Sequence, residues 1–262
     1  MHPVISGNKW RKLKYALLAA QQNQLKHIIS FGGGFSNHLH ALAYCCRKMN
    51  IRFTAIVRGD YSDNPSPMLE DLRSWGTELH YVQRSTYKRR DQCGYLAELQ
   101  QQYPGAVIIP EGGSQALALK GVGEIIGELR GGYDYILAPV ASGGTLAGLI
   151  QANQSNTAII IGVAVLKGQD YLEKLVTDLL PPSIALSKSW HINHDYHGRG
   201  YAKTNSELRT FCEHFVQQNN IPIEPVYSGK LCFALKDLIA KQVFPQGSRI
   251  LLLHTGGLQG AR

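Results

Sequence analysis

Short apolar runs alternate with longer amphipathic stretches along most of the chain. The runs HIISFG (27–32), RFTAIVRG (52–59), ELHYVQR (78–84), AVIIPEG (106–112), YILAPV (135–140), AIIIGVAVL (158–166) and RILLLHTG (249–256) are rich in β-branched residues and strand-sized. Helix-length stretches near 36–49, 66–75, 88–103, 115–130, 145–154, 170–179, 205–219 and 229–241 lie between them. Another helix opens at the Gly-Asn turn of SGNKWRKLKYAL (6–17). This alternation, with strand runs apolar on both faces, predicts parallel sheets wrapped by helices. In such folds ligands gather at the carboxyl ends of the strands. INHDYHGRGYAKTN (192–205) is the long stretch predicted to be irregular, and long ordered loops are frequently functional.

The turns that leave the strands are therefore the informative part. HIISFG runs into GGFSNH, AVIIPEG into GSQA, YILAPV into ASGGTLAG and RILLLHTG into GLQG. In ASGGT, Gly143 and Gly144 let backbone approach a ligand closely, while Ala141, Ser142 and Thr145 complete a turn that opens a helix. Such a turn aims N–H groups and hydroxyls at one point, as a phosphate requires. It matches neither a P-loop nor G-x-G-x-x-G, and a capped strand-to-helix turn is the plainer reading. Ser36 and Asn37 stand at a second helix start, where Ser is also a common N-cap.

Lys9 falls in a first helical turn, where the helix dipole disfavours positive charge. Solvation explains many such lysines. An amine nucleophile, however, must lose its proton, and the helix N-terminus with Arg11, Lys12 and Lys14 supplies the positive potential for that. A phosphate cradle with an activated lysine is what pyridoxal phosphate needs.

Composition narrows the choices. The chain has 262 residues, 44% of them hydrophobic, enough for one large or two smaller α/β domains. No run of about 18 apolar residues occurs and no secretory pattern opens the chain, so a cytoplasmic protein without a membrane partner is expected. Its 5 cysteines include no C-x-x-C and read as buried free thiols. The formal charge of +8 is scattered. Its densest run, YKRR (87–90), reads as the solvated start of a helix, so no nucleic-acid partner is expected, and the excess charge suits a small anionic ligand. His191, His194, His197 and Asp195 fit no metal-site spacing, and no metal is expected. A serine acyl-transfer enzyme is a rival reading: Ser6 to Lys9 fits S-x-x-K, Ser62-Asp63-Asn64 fits S-D-N, and His254-Thr255-Gly256 approximates K-T-G. Such enzymes pair a helical domain with an antiparallel sheet.

Taken together, SGNKWRKLKY, SFGGGFSNH, VYSGK (226–230) and HTGG (254–257) resemble the pyridoxal-phosphate enzyme family of D-cysteine desulfhydrase and 1-aminocyclopropane-1-carboxylate (ACC) deaminase. The resemblance implies an α/β fold of the tryptophan-synthase-β-like class, PLP fold type II, with two three-layer α/β domains and mostly parallel sheets. It places a smaller domain over 12–118 and a larger one in 1–11 and 119–262, and only eight residues precede Lys9, fewer than the family usually has. It also implies a small amino-acid substrate and a homodimer. Lys9 would carry the imine to the cofactor and move the substrate α-proton. Asn37 would bond the cofactor ring oxygen, Ser36 and the amides around His38 the substrate carboxylate, and residues Ala141 to Thr145 the phosphate. Tyr227 would stack on the ring, with Tyr201 also lining the pocket. Where ACC deaminases carry Glu and Leu, desulfhydrases carry hydroxyl residues, and this chain has Ser228 and Thr255. That favours β-elimination from D-cysteine; ACC deamination is the alternative, and an inactive cofactor-binding protein another.

Overall fold

The computed structural model describes residues 2, 4–5 and 7–257. The chain divides into two units, one reaching Ala118 and the other starting at Leu119. The first contains strands β1 (His27–Gly33), β2 (Arg52–Arg58), β3 (Glu78–Val82) and β4 (Val107–Ile109). With them go helices α1 (Asn8–Gln22), α2 (Asn37–Lys48), α3 (Pro67–Ser74), α4 (Arg84–Tyr87) and α5 (Cys93–Gln102). Helix α6 (Ala116–Glu128) begins at the boundary. The second unit has β5 (Tyr135–Val140), β6 (Ile159–Ala164), β7 (Trp190–Asn193) and β8 (Ile250–Leu252). Its helices are α7 (Gly144–Ala152), α8 (Tyr171–Thr177), α9 (Pro182–Ala185), α10 (Ser206–Asn219) and α11 (Ser228–Ala240). No helix among the described residues is long and apolar enough to cross a membrane.

Both sheets are four-stranded and parallel, in the orders β3-β2-β1-β4 and β7-β6-β5-β8. The apolar runs explain why each sheet is covered on both faces. On β1, Ile28 packs with Leu13, Leu17, Leu39 and Leu42, whereas Ile29 and Phe31 face Tyr87, Tyr95 and Leu99. On β5, Ile136, Ala138 and Val140 pack with Leu146 and Ile150, while Leu137 faces Leu231 and Ala234. Each unit thus has helix, sheet and helix layers, as expected of a parallel sheet. Ser36, Ser66 and Asn205 start α2, α3 and α10 by accepting the amides of Leu39, Leu69 and Leu208 at 3.3, 3.3 and 2.9 Å.

Several expectations are corrected. Strand β7 occupies the start of the stretch predicted to be irregular, because WHIN supplies only two apolar residues but pairs along β6 from Ile160–Trp190 to Val163–Asn193. The helix expected over 88–103 shortens to α5, preceded by the separate turn α4. YKRR is not wholly a solvated face: Tyr87 is 2% exposed, and the Arg90 guanidinium lies over its ring and 2.6 Å from Glu111. Among the cysteines Cys93 is exposed and the others are buried and free. Ahead of α1, Ile5 packs against the core that contains Leu13 and Leu17.

A polar network holds the β2–β3 pairing. Glu78 accepts from Arg52 at 2.7 Å, Thr54 at 3.1 Å and His80 at 2.9 Å. Burial alone would raise its carboxyl, but these three donors outweigh it and hold it at about 2, against 4.5 ordinarily. The favourable contribution is therefore present above about pH 4.5 and lost as pH falls toward 2. Because the side chain is 35% exposed, Glu78→Gln should cost only about 1 kcal/mol at pH 7. Urea unfolding should show that difference shrinking between pH 5 and pH 2; a constant difference would contradict the assignment.

Candidate functional site

In the first unit, α1 begins after Gly7 at φ 72°, which turns Asn8 and Lys9 into its first turn. Lys9 is half-buried, and its Nζ donates to Asn8 Oδ1 at 2.9 Å. One turn on, Lys12 is 1% exposed and donates to Ser114 Oγ at 2.8 Å. Burial holds the Lys12 amine well below its usual range, the Lys9 charge lowers it further and Glu111 opposes both. Ser114 follows β4, so the α1 start is tied to the C-terminal edge of the first sheet. The sequence treats Lys12 as one of several nearby positive charges; its spacing with Leu13 and Leu17 was the signal that it enters the core.

The same edge carries the β1–α2 turn. Ser36 caps α2 through its Oγ, and by helix geometry the amides of Asn37 and His38 have no intrahelical acceptor. The turn is tightly packed: a Cβ on Gly34 would fall 2.4 Å from the Tyr61 ring, and Ser66 donates its hydroxyl to Gly34 O. His38 turns its ring into the core at 2% exposure. Ser30 Oγ has one proton, which goes to Ile109 O at 2.7 Å, so the 2.7 Å contact to His38 must be a donation by Nε2–H. That leaves His38 Nδ1 as a buried acceptor with no partner. Burial, with Lys12 and Lys9 nearby, holds the imidazole well below its usual pKa, so it is neutral. His40 is also buried and pairs with Asp71 at 2.8 Å while lying against Trp75.

In the second unit, β5 runs into Ala141, Ser142 and Gly143, and α7 starts at Gly144. Gly143 has φ 72°, and a Cβ there would lie 2.8 Å from Leu175 O, so this position requires glycine. Gly143 and Gly144 are buried, Thr145 is 6% exposed and Ser142 is half-buried. The turn thus brings the first-turn amides of a helix and two hydroxyl residues to the C-terminal edge of the second sheet.

Helix α11 starts near that edge. Tyr227 is its N-cap residue and its hydroxyl lies 2.8 Å from that of Tyr201. Ser228 is 1% exposed, accepts the Glu224 N–H at 2.9 Å and donates to the Glu224 carboxylate at 3.2 Å. Glu224 Oε2 accepts from Val226 N, and its Oε1 accepts from Tyr227 N and Ser228 N, so the helix start is capped by an anion. Burial raises the Glu224 carboxyl, opposed by these amide donors. Two residues after Ser228, Lys230 donates to Val165 O, His197 O and Gly200 O at 3.0, 2.8 and 3.0 Å. Glu224 and Lys230 were missed as site residues by the sequence reading. Thr255 is buried just after β8, where His254 bonds Pro222 O and the Gly256 amide.

The serine acyl-transfer reading does not fit the parallel sheets. Ser6 lies outside the described residues, and Ser62 is exposed with its hydroxyl on Asp60. The histidines of the 191–197 stretch have separate tasks, His194 holding Glu173 at 2.6 Å and His197 accepting from Arg199 N. Among the described residues no group of three His, Cys, Asp or Glu side chains could hold a metal.

Pyridoxal phosphate fits the groups present. The Gly143 turn is a cradle that a Cβ would fill, and lysine amines and a buried acceptor accompany the other sheet edge. Comparison with known proteins gives the same answer. The family model described as pyridoxal-phosphate dependent enzyme matches residues 1–256. A putative ACC deaminase of Thermotoga maritima is 28% identical, over 97% of this chain and 85% of its own. A D-cysteine desulfhydrase of Klebsiella pneumoniae is 29% identical, over 97% and 83%. The crystal structure of an ACC deaminase homologue superposes with a TM-score of 0.81 at 26% identity, covering 98% of this chain and 81% of the other. By the turns, the parallel sheets and these matches together, the chain belongs to the family of pyridoxal-phosphate dependent enzymes.

Proposed function

We propose that this chain is a lyase that converts D-cysteine to pyruvate, hydrogen sulfide and ammonia. When bound, pyridoxal phosphate supplies the electron sink that makes the substrate α-proton acidic. Lys9 is the residue that takes that proton. Its place in the first turn of α1, beside buried Lys12, surrounds it with positive potential. Gly143 and Thr145 offer amides, and Ser142 and Thr145 hydroxyls, to the phosphate, while the Gly144 amide closes the turn on Ser142 O at 2.8 Å. Asn37 holds the ring oxygen, and Tyr227 covers the ring beside Tyr201. Ser36 already accepts one amide, so its remaining hydroxyl proton goes to the substrate carboxylate, with the His38 amide.

The observation that carries the choice of reaction is Ser228. The carboxylate of this segment, Glu224, is committed to backbone amides, and the side chain at position 228 is a neutral hydroxyl. Without a carboxylate at position 228 the ring nitrogen is a weaker electron sink than a carboxylate partner would make it. Loss of a thiolate from Cβ needs less from that sink than opening a cyclopropane. The relative named D-cysteine desulfhydrase and the hydroxyl at Thr255 support the same choice.

Holoprotein should therefore release pyruvate and sulfide in equal amounts from D-cysteine and no 2-oxobutanoate from ACC. Lys9→Ala should lower that rate on the order of 10³-fold. Production of 2-oxobutanoate from ACC without pyruvate from D-cysteine would contradict the reading. The reading takes the enzyme as a homodimer; light scattering should give twice the chain mass, and a monomer would contradict that part.

A further inference from the structure

Lys230 is a lysine the reaction does not use, and it is 1% exposed. Its three ammonium protons meet three backbone carbonyls: Val165 O just beyond β6, and His197 O and Gly200 O in the loop after β7. That loop cannot hold its own shape easily. Gly198, Arg199, Gly200 and Ala202 all have positive φ, at 60°, 68°, 143° and 55°. Its internal backbone bonds are only short-range, Gly200 N to His197 O and Lys203 N to Gly200 O. The lysine stem packs against it as well, since a Cβ on Gly198 would lie 3.2 Å from Lys230 Cε. Tyr201 sits between the second tethered carbonyl and the Lys203 amide, and its hydroxyl meets Tyr227, three residues before Lys230 on the same helix start.

We infer that Lys230 is a positioning residue, which ties the 197–203 backbone to the start of α11 and so fixes Tyr201 against Tyr227 for substrate binding. The functional part rests on the reading above, in which both tyrosines line the site. A surface lysine would make none of these bonds, and a buried one is tolerated only where its charge is met by acceptors, as it is here. Burial lowers its pKa to about 8, which marks how far the ammonium has been withdrawn from water.

The test uses the cofactor-loaded full chain. Lys230→Met removes the donors while keeping a long apolar side chain, and the exposed Arg199 and Lys203 are tryptic sites within the tethered loop. Limited trypsin digestion followed by mass spectrometry should show cleavage after these two residues about tenfold faster in the variant, with other cuts at the wild-type rate. KM for D-cysteine should rise about tenfold with kcat changed less than about threefold, and adding Tyr201→Phe should then cost less than it does alone. Unchanged loop cleavage would overturn the tether, whatever the substrate proves to be. A faster-cut loop with unchanged KM, or fully multiplicative effects of the two substitutions, would overturn the positioning role. If Lys230→Met does not fold, Lys230→Gln, which keeps a shorter donor, is read by the same criteria. Absence of turnover by the wild type would count against the D-cysteine reading alone, since the digestion needs no substrate.

Discussion

Every strand pairing in both sheets is parallel, and that constraint governs where the chemistry can be. A parallel strand must be followed by a crossover, so all the turns leaving the strands of one unit emerge on one edge of its sheet. In the first unit this gathers the Ser36–His38 helix start and the Glu111–Ser114 turn, joined by the His38–Ser30–Ile109 bonds. In the second it gathers the Gly143 turn, Val165, the loop after β7 and Thr255. Residues more than one hundred positions apart are thereby brought to a common edge before any side chain is chosen.

The second constraint is that these edges are where buried charge can be satisfied. Helix starts present amides and strand ends present carbonyls, so an anion and a cation can each be held by backbone. Glu224 sits on three amides at the start of α11. Lys230, on the first turn of the same helix, sits on three carbonyls. An unsatisfied charge at such depth would cost several kcal/mol. The backbone of this region is thus organised by the charges it surrounds, and the neutral Ser228 between them is set by the same bonds.

The sequence made legible what depends on local pattern. The apolar runs foretold the parallel, doubly covered sheets, and the glycine-rich ends of β1 and β5 foretold where helix starts would meet sheet edges. What escaped it is non-local or weakly patterned. Strand β7 has too few apolar residues to stand out, and its pairing with β6 defines it. Lys230 looks like any lysine in VYSGK, because its acceptors lie 65, 33 and 30 residues away in sequence. Arg90 and Tyr87 read as surface because their partner Glu111 lies beyond β4. Lys12 differs from Lys9 only in which side of α1 faces the core, a distinction that the neighbouring Leu13 and Leu17 could have supplied.

The central claim is that Lys9, and neither Lys12 nor Lys230, carries the cofactor. It is tested most directly by reducing the pyridoxal-phosphate-loaded protein with borohydride, which fixes the bound cofactor to its lysine, and mapping the modified peptide by mass spectrometry. The account predicts a single phosphopyridoxyl group on Lys9. Its appearance on Lys12 or Lys230, with Lys9 unmodified, would contradict it.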